Sequence, residues 1–355
     1  MNWPPLIYNS LMGGMDALVL LALSRERTVR AWIAAGVASG IVAVVSAVVL
    51  GGEKFAVAGL AAYGLFVHGS LLLGGSAILL GKAARTTAIL SAAGMMVLLG
   101  VAVDAFWIEP TWLEVTRVRL RSPKLTRPVR IVVLADFQAE TLGSYEREVL
   151  RRVLEENPDL ILLAGDYTQA PPEVERTLRR DVNAYLRQLG LSAELGVFAV
   201  RGNTDGREWP EMFDHLPVTV SERTNSFSLG PVRLTCLDLG ESYRRNLTIP
   251  SPKPEQYHIV LGHAPDYASG RIDADLLVAG HTHGGQVRLP LLGPVVTNST
   301  LPRRMACGVS QLPSGAWLLV SRGTGMERGG APRLRFLCRP ELVVIELEPE
   351  GRDEE

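Results

Sequence analysis

Few features of this 355-residue chain are biased toward a specialised class. Its three cysteines, Cys236, Cys307 and Cys338, lie far apart and form no CxxC pair, which excludes a zinc knuckle and gives no disulfide framework. They read as small apolar residues. Charge of one sign is also missing: 36 Lys and Arg against 37 Asp and Glu leave a formal net charge of −1, so no nucleic-acid partner is expected. No dinucleotide fingerprint occurs. The segment SRGTGMERGG (321–330) lacks the G-x-G-x-x-G spacing and a following helix, and it reads as a loop beside a pocket with Arg322 as a candidate phosphate contact. The run from Leu6 to Leu23 lacks the basic start and small-residue cleavage site of a signal peptide. No internal repeat or low-complexity linker is visible.

Long apolar runs, in contrast, fill the first third. Residues 31–50, 55–80 and 86–106 are each long enough to cross a hydrocarbon core, which takes about 20 residues. The Leu6–Leu23 run, interrupted by Asn9, Ser10 and Asp16, makes a fourth. Residues 1–110 are therefore expected to form a transmembrane helical region of three to four spans, and residues 111–355 a folded domain beyond it. Arg25, Arg27 and Arg30 precede the second span and Lys82 and Arg85 the fourth, whereas the loop between spans two and three carries Lys54 alone. The excess of basic residues places the first and third loops in the cytoplasm, and hence the C-terminal domain of this multi-pass membrane protein outside it. Arg117, Arg119, Arg121 and Lys124 alternate with Val118 and Leu120 and are assigned to a strand of the folded domain. Asp16, His68 and Asp104 lie in or at the edge of the spans, as functional groups or as polar anchors between helices.

Beyond Thr111 the pattern is α/β. RIVVLAD (130–136), DLILLAGD (159–166) and VFAV (197–200) are buried-strand runs. They are separated by SYEREVLRRVLEEN (144–157) and by a helix with Val174, Leu178, Val182 and Leu189 on one face, closed by Gly190. Then SFSLGPVRLTCLDL reads as a hairpin about Gly230 and Pro231, and YHIVLGH and DLLVAGH as two further strands. Polar residues recur where these strands stop: Asp136 and Gln138, Asp166, Asn203 and Asp205, His263, and the pair His281 and His283. Ligands of open α/β sheets bind at the carboxyl ends of strands, so these side chains can converge. Imidazole mixed with oxygen donors suits Mn, Fe or Zn better than Ca or Mg alone.

These blocks, VVLADFQ, LLAGDY, GNTD, VLGH and GHTHGGQVRLP, resemble the calcineurin-like metallophosphoesterases over the whole soluble part. The last block is similar to the branch containing membrane-attached and exported bacterial metallophosphoesterases and UDP-diacylglucosamine pyrophosphatases. The resemblance implies an αββα two-sheet sandwich holding two divalent metal ions bridged by an aspartate and a hydroxide. It makes Asp166 the bridge, groups Asn203, His263 and His281 around one ion, and gives Asp136, Gln138 and His283 to the other. The ions implied are Mn, Fe or Zn, with Mg a further candidate at the Gln138 position. Asp166, Asn203, Thr204 and His281 become the catalytic set. Gly284 and Gly285 are expected to leave room for a phosphate. Two departures stand out: Gln138 replaces the usual Asp-x-His histidine, and Thr204 replaces the histidine of Gly-Asn-His-Asp. The reading is a membrane-anchored hydrolase of a phosphodiester or diphosphate bond, acting through a metal-activated hydroxide on a small-molecule or lipid-linked envelope substrate. The alternatives are a catalytically silent metal-binding module, or a UDP-diacylglucosamine pyrophosphatase-like enzyme if the site faces the cytoplasm.

Overall fold

The computed structural model describes residues 3–26, 28–250 and 255–350. Arg27, counted above for orientation, lies outside them. The chain divides into two compact units, Met1–Ile108 with Glu327–Arg333, and Glu109–Met326 with Leu334–Glu355.

The first unit carries four helices long and apolar enough to cross a membrane: α1 (Trp3–Arg25), α2 (Val29–Gly51), α3 (Lys54–Leu80) and α4 (Arg85–Thr111). Their large side chains point outward, with Val49 74% and Ile78 82% exposed, as lipid-facing helices require. Thr28 caps α2 by accepting the Ala31 N–H at 3.2 Å. Two stretches widen to π-helix, Tyr63–Gly69 in α3 and Asp104–Ile108 in α4. The first presents His68 to α1, where its Nδ1 lies 2.6 Å from Asp16 Oδ2 and its Nε2 3.0 Å from Asn9 Oδ1. Asp16 and His68 are thus a buried interhelical pair. Removing one partner of such a pair leaves the other group buried without compensation, at a cost of about 3 kcal/mol or more. His68→Leu should lower the thermal unfolding midpoint in detergent by several degrees, and Asp16→Leu with His68→Leu should recover most of the loss. A double variant as unstable as the sum of the singles would mean the two residues are not coupled.

The second unit is a two-layer sandwich. Its first sheet contains β1 (Glu114–Ser122), β2 (Val129–Leu134), β3 (Leu160–Leu163), β4 (Val197–Val200) and β5 (Val218–Ser221). Its second contains β6 (Asn225–Leu229), β7 (Val232–Cys236), β8 (Tyr257–Leu261), β9 (Leu276–Ala279), β10 (Gly308–Gln311) and β11 (Trp317–Val320). The closing strand, β12 (Glu341–Pro349), returns to the first sheet between β1 and β2. The orders are β1-β12-β2-β3-β4-β5 and β10-β11-β9-β8-β7-β6. Within them β2, β3, β4 and β5 are parallel, as are β7, β8, β9 and β11.

Strand alternation builds the layers. Ile131, Val133, Leu160 and Leu162 face Leu234, Ile259, Leu261 and Val278 between the sheets. Val132, Leu134, Ile161 and Leu163 face outward onto α5 (Ser144–Glu155) and α6 (Pro172–Leu189). Helix α6 ends at Gly190, in the left-handed region at φ 70°. Its buried stripe is Leu178, Val182 and Leu186, while Val174 is 43% exposed, so the face is turned slightly from the one expected. The outer face of the second sheet is covered thinly, by the short turns Leu239–Ser242 and Pro265–Ser269. The basic residues of β1, and Lys124 just beyond it, belong to this unit, as their alternation implied: Arg119 pairs with Glu346 at 2.8 Å and Lys124 with Asp275 at 2.8 Å.

Candidate metal centre

Each site residue sits at the carboxyl end of a parallel strand. Asp136 and Gln138 follow β2, Asp166 follows β3, Asn203 and Thr204 follow β4, His263 follows β8, and His281 and His283 follow β9. The ends are tied by backbone bonds: the Asp136 N–H donates to Gly165 O at 3.0 Å and the Gln138 N–H to Asp166 O at 2.8 Å. Five of these residues adopt positive φ: Asp136 at 48°, Gln138 at 40°, Asp166 at 57°, His281 at 70° and His283 at 48°. Non-glycine residues there cost roughly 1–3 kcal/mol each and cluster at functional sites. The turning is thus done by the polar residues themselves, and not only by the flanking glycines. Gly202 is required for a different reason, since a Cβ there would lie 2.1 Å from Asp166 Oδ1.

The strand ends bring together two sets of ligand-capable atoms, each within 4.8 Å of one another: Asp166, His263 and His281, and Asp136, Asp166 and His283. Asp166 belongs to both. Asn203 joins the first set, its Oδ1 lying 3.0 Å from His263 Nε2. Gln138 lies beside the bridge position, with Nε2 donating to Asp166 Oδ2 at 3.3 Å. Thr204 holds the carboxylate from the other side, its N–H donating to Asp166 Oδ1 at 2.8 Å.

The residues fit a cation. His263 Nδ1 lies 2.9 Å from the Ala164 carbonyl, which can only accept, so Nδ1 carries the proton and Nε2 of the neutral ring presents a lone pair. That lone pair faces Asn203 Oδ1 at 3.0 Å and Asp166 Oδ2 at 3.5 Å. Three acceptors aimed at one point need a positive charge between them. Burial pushes the His263 imidazole down to about 4, and burial followed by the repulsion of His263 pushes His281 down to about 4 as well. Both rings are therefore neutral, hence ligand-ready, at pH 7. Both ring nitrogens of His283 are buried without a hydrogen-bond partner, an expensive arrangement unless a ligand satisfies one of them.

Several contributors carry no strand-end signature. Asp205 lies behind the site, where its carboxylate accepts the N–H groups of Asp166, Tyr167 and Gly202 at 2.7–2.8 Å. Burial, and then the neighbouring Asp166, push its carboxyl up to about 7 against the pull of those amides. Tyr243, 38% exposed at the rim, donates to Asn203 Oδ1 at 3.1 Å and stands edge-on to His281. The Asn298 carbonyl accepts from His281 Nε2 at 3.2 Å, which leaves Nδ1 with the lone pair. Only Asp205 was visible as a polar residue near a strand end.

Two expectations are corrected. Gly284 and Gly285 do not open a space for phosphate: a Cβ on the first would lie 2.7 Å from Arg322 Cγ and on the second 2.3 Å from Pro294 Cβ, so they permit tight packing of the turn. Arg322 is not a phosphate contact, because Glu114 and Glu341 each hold its guanidinium at 2.9 Å. The loop it opens does back the site, through Gly323 against Asp136 and Gly325 against Phe137.

Two stacked sheets bring paired Asp and His clusters that could hold metal ions together at their strand ends, as metal-dependent hydrolases do. Residues 129–285 match the calcineurin-like phosphoesterase family. The chain is 30% identical over 276 residues to the uncharacterized metallophosphoesterase YkuE of Bacillus subtilis, covering 72% of this chain and 93% of that protein. It is 29% identical over 256 residues to the phosphodiesterase YaeI of Escherichia coli, covering 68% and 90%. It is 25% identical over 313 residues to the UDP-2,3-diacylglucosamine pyrophosphatase LpxG of Chlamydia muridarum, covering 67% and 90%. The chain belongs to the calcineurin-like phosphoesterases, hydrolases that act on phosphate ester bonds and use divalent metals.

Proposed function

We propose that this chain is a membrane-anchored metallophosphoesterase that cleaves a phosphodiester or diphosphate bond in a lipid-linked or envelope substrate. The observation that carries this reading is the pair of Asp and His clusters sharing Asp166. Asp166, Asn203, His263 and His281 would hold one ion, and Asp136, Gln138, Asp166 and His283 the other. Bound Mn, Fe or Zn, with Mg a candidate beside Gln138, would supply Lewis acidity toward the phosphoryl oxygens and lower the pKa of the attacking water.

The protein's own groups do the positioning. The Thr204 amide and the Gln138 side chain orient the Asp166 carboxylate. Ala164 and Asn298 set the tautomers of His263 and His281. Tyr243 fixes the Asn203 amide at the exposed rim, where a substrate enters. In the reaction water adds to phosphorus, the bond to the leaving oxygen breaks, and that oxygen takes a proton. The activities for which YaeI and LpxG are named, a phosphodiesterase and a pyrophosphatase acting on a diacylated sugar nucleotide, favour an active enzyme over a silent metal-binding module. The test is purified full-length protein loaded with Mn and given bis-p-nitrophenyl phosphate. Hydrolysis is expected. Loaded protein that binds metal but leaves the ester intact would favour the silent module.

For orientation, the basic residues Arg25 and Arg30 on either side of the α1–α2 turn, and Lys82 and Arg85 at the α3–α4 turn, support an extracytoplasmic catalytic domain. A C-terminal alkaline phosphatase fusion should then be active in cells and a C-terminal green fluorescent protein fusion exported through the general secretory route dark. The opposite pattern would turn the site toward the cytoplasm and admit nucleotide-linked lipids as substrates.

A further inference from the structure

One stretch of the chain behaves unlike its sequence neighbours. Glu327–Arg333 leaves the phosphoesterase unit and packs as part of the membrane unit. It is seated by glycines: a Cβ on Gly59 of α3 would lie 2.6 Å from the Gly330 carbonyl, and one on Gly330 would lie 3.1 Å from the Ala56 amide. The first contact leaves no room for a side chain and the second is tight. Both ends of the excursion are built into the metal-site wall. Before it, Gly323 and Gly325 abut Asp136 and Phe137. After it, the fully buried Arg335 donates to the carbonyls of Arg322 at 2.9 Å, Gly323 at 3.1 Å and Gly325 at 3.1 Å.

Within the membrane unit this segment closes one side of a cavity of about 840 Å³, in the upper part of the roughly 300–1,000 Å³ range of ligand pockets. The walls include Ala62, Phe66, Leu99, Ala102 and Phe106, and Arg333 lies at the rim. They come from the start of α1, the start of α3 and the end of α4. Four helices that each cross the bilayer alternate in direction, so those three ends lie at the same membrane face, the one from which the chain continues into the phosphoesterase. Exposed Trp3 and Trp107, at 57% and 69%, mark the same face as the lipid–water interface. An apolar chamber at headgroup depth, rimmed by an arginine, matches an amphiphile with an acyl tail and an anionic head.

We propose that this cavity binds the acyl chain of an anionic lipid from the leaflet at that face, with its phosphate near Arg333.

The binding test uses full-length protein in phosphatidylcholine vesicles containing phosphatidylglycerol with a photoreactive diazirine in its acyl chain. Label is expected on peptides spanning Ala56–Val67, Leu99–Trp107 or Gly329–Arg333, and it should fall several-fold in both Ala62→Phe and Ala102→Phe, two fillings on different helices. Arg333→Gln should reduce labelling by the anionic lipid more than by a matching diazirine phosphatidylcholine. Labelling confined to outward positions such as Val49 and Ile78, unchanged by either filling, overturns the site.

Discussion

Asp166→Asn should empty both metal positions and lower kcat/KM on an aryl diester by roughly a thousand-fold or more, at least the ~10²–10³ lost with a single transition-state electrostatic contact. Asp166 is the one residue common to the two ligand-capable sets. An amide in its place offers one neutral oxygen instead of two charged ones, and it turns an NH2 group toward Thr204 N–H or toward His263. His263→Ala should behave differently, because His263 belongs to one set only: elemental analysis of the loaded protein should find about half the wild-type metal. The near-isosteric asparagine keeps the backbone at φ 57° accessible, so a thermal midpoint close to that of metal-free wild type should accompany the loss. Two ions retained in Asp166→Asn would remove the bridge from the mechanism. No more than trace metal in wild type after Mn or Fe loading would remove the metals altogether. Gln138→His should tighten the weaker position, since imidazole is a stronger ligand than a neutral amide oxygen.

What could be read in the sequence followed from periodicity and strand boundaries. Strands β3, β4, β8 and β9 are buried on both faces, and β2 nearly so, so they read as apolar runs broken only by Arg130 and His258 near the starts of β2 and β8, and the polar residue at each end stood out against them. The four helices long and apolar enough to cross a membrane were legible for the same reason of length and uniformity. Other features depend on distant partners. The insertion of β12 between β1 and β2 joins residues more than two hundred positions apart, and nothing local in LVVIEL specifies its neighbours. Tyr243 reaches the site from a four-residue helix of weak signal. The left-handed backbone of Asp136, Gln138, Asp166, His281 and His283 has no mark in residue type, because aspartate and histidine in φ > 0 are chosen by the surrounding packing. Gly284 and Gly285 were visible as glycines, but what they abut, Arg322, Cys338 and Pro294, was not. The Glu327–Arg333 excursion has no apolar run at all, so only its glycine contacts reveal where it packs.

The second large effect concerns the leaving group, and it follows from Thr204. Expelling an alkoxide from phosphorus needs a proton delivered in the transition state, for which a placed acid contributes about 10²–10⁴-fold. Phenolates and phosphates leave with far less help. The Thr204 amide is committed to Asp166 at 2.8 Å and its hydroxyl is buried without a hydrogen-bond partner, and a hydroxyl is in any case a poor acid at neutral pH. His215 is exposed, on the loop after the Trp209–Phe213 turn. The enzyme should therefore cleave diphosphates and aryl diesters and be slow on simple alkyl phosphates, with log kcat/KM falling steeply as leaving-group basicity rises. Thr204→His should flatten that dependence by restoring an acid. A flat dependence in wild type, with the chemical step shown to limit the rate, would mean an acid is already present. Tyr243 is then the residue to test, since its hydroxyl lies 3.1 Å from Asn203 and 3.4 Å from His281 at the rim. In that case Tyr243→Phe would restore the steep slope while leaving metal content intact, whereas His215→Ala would do so only if that exposed imidazole reaches the leaving oxygen.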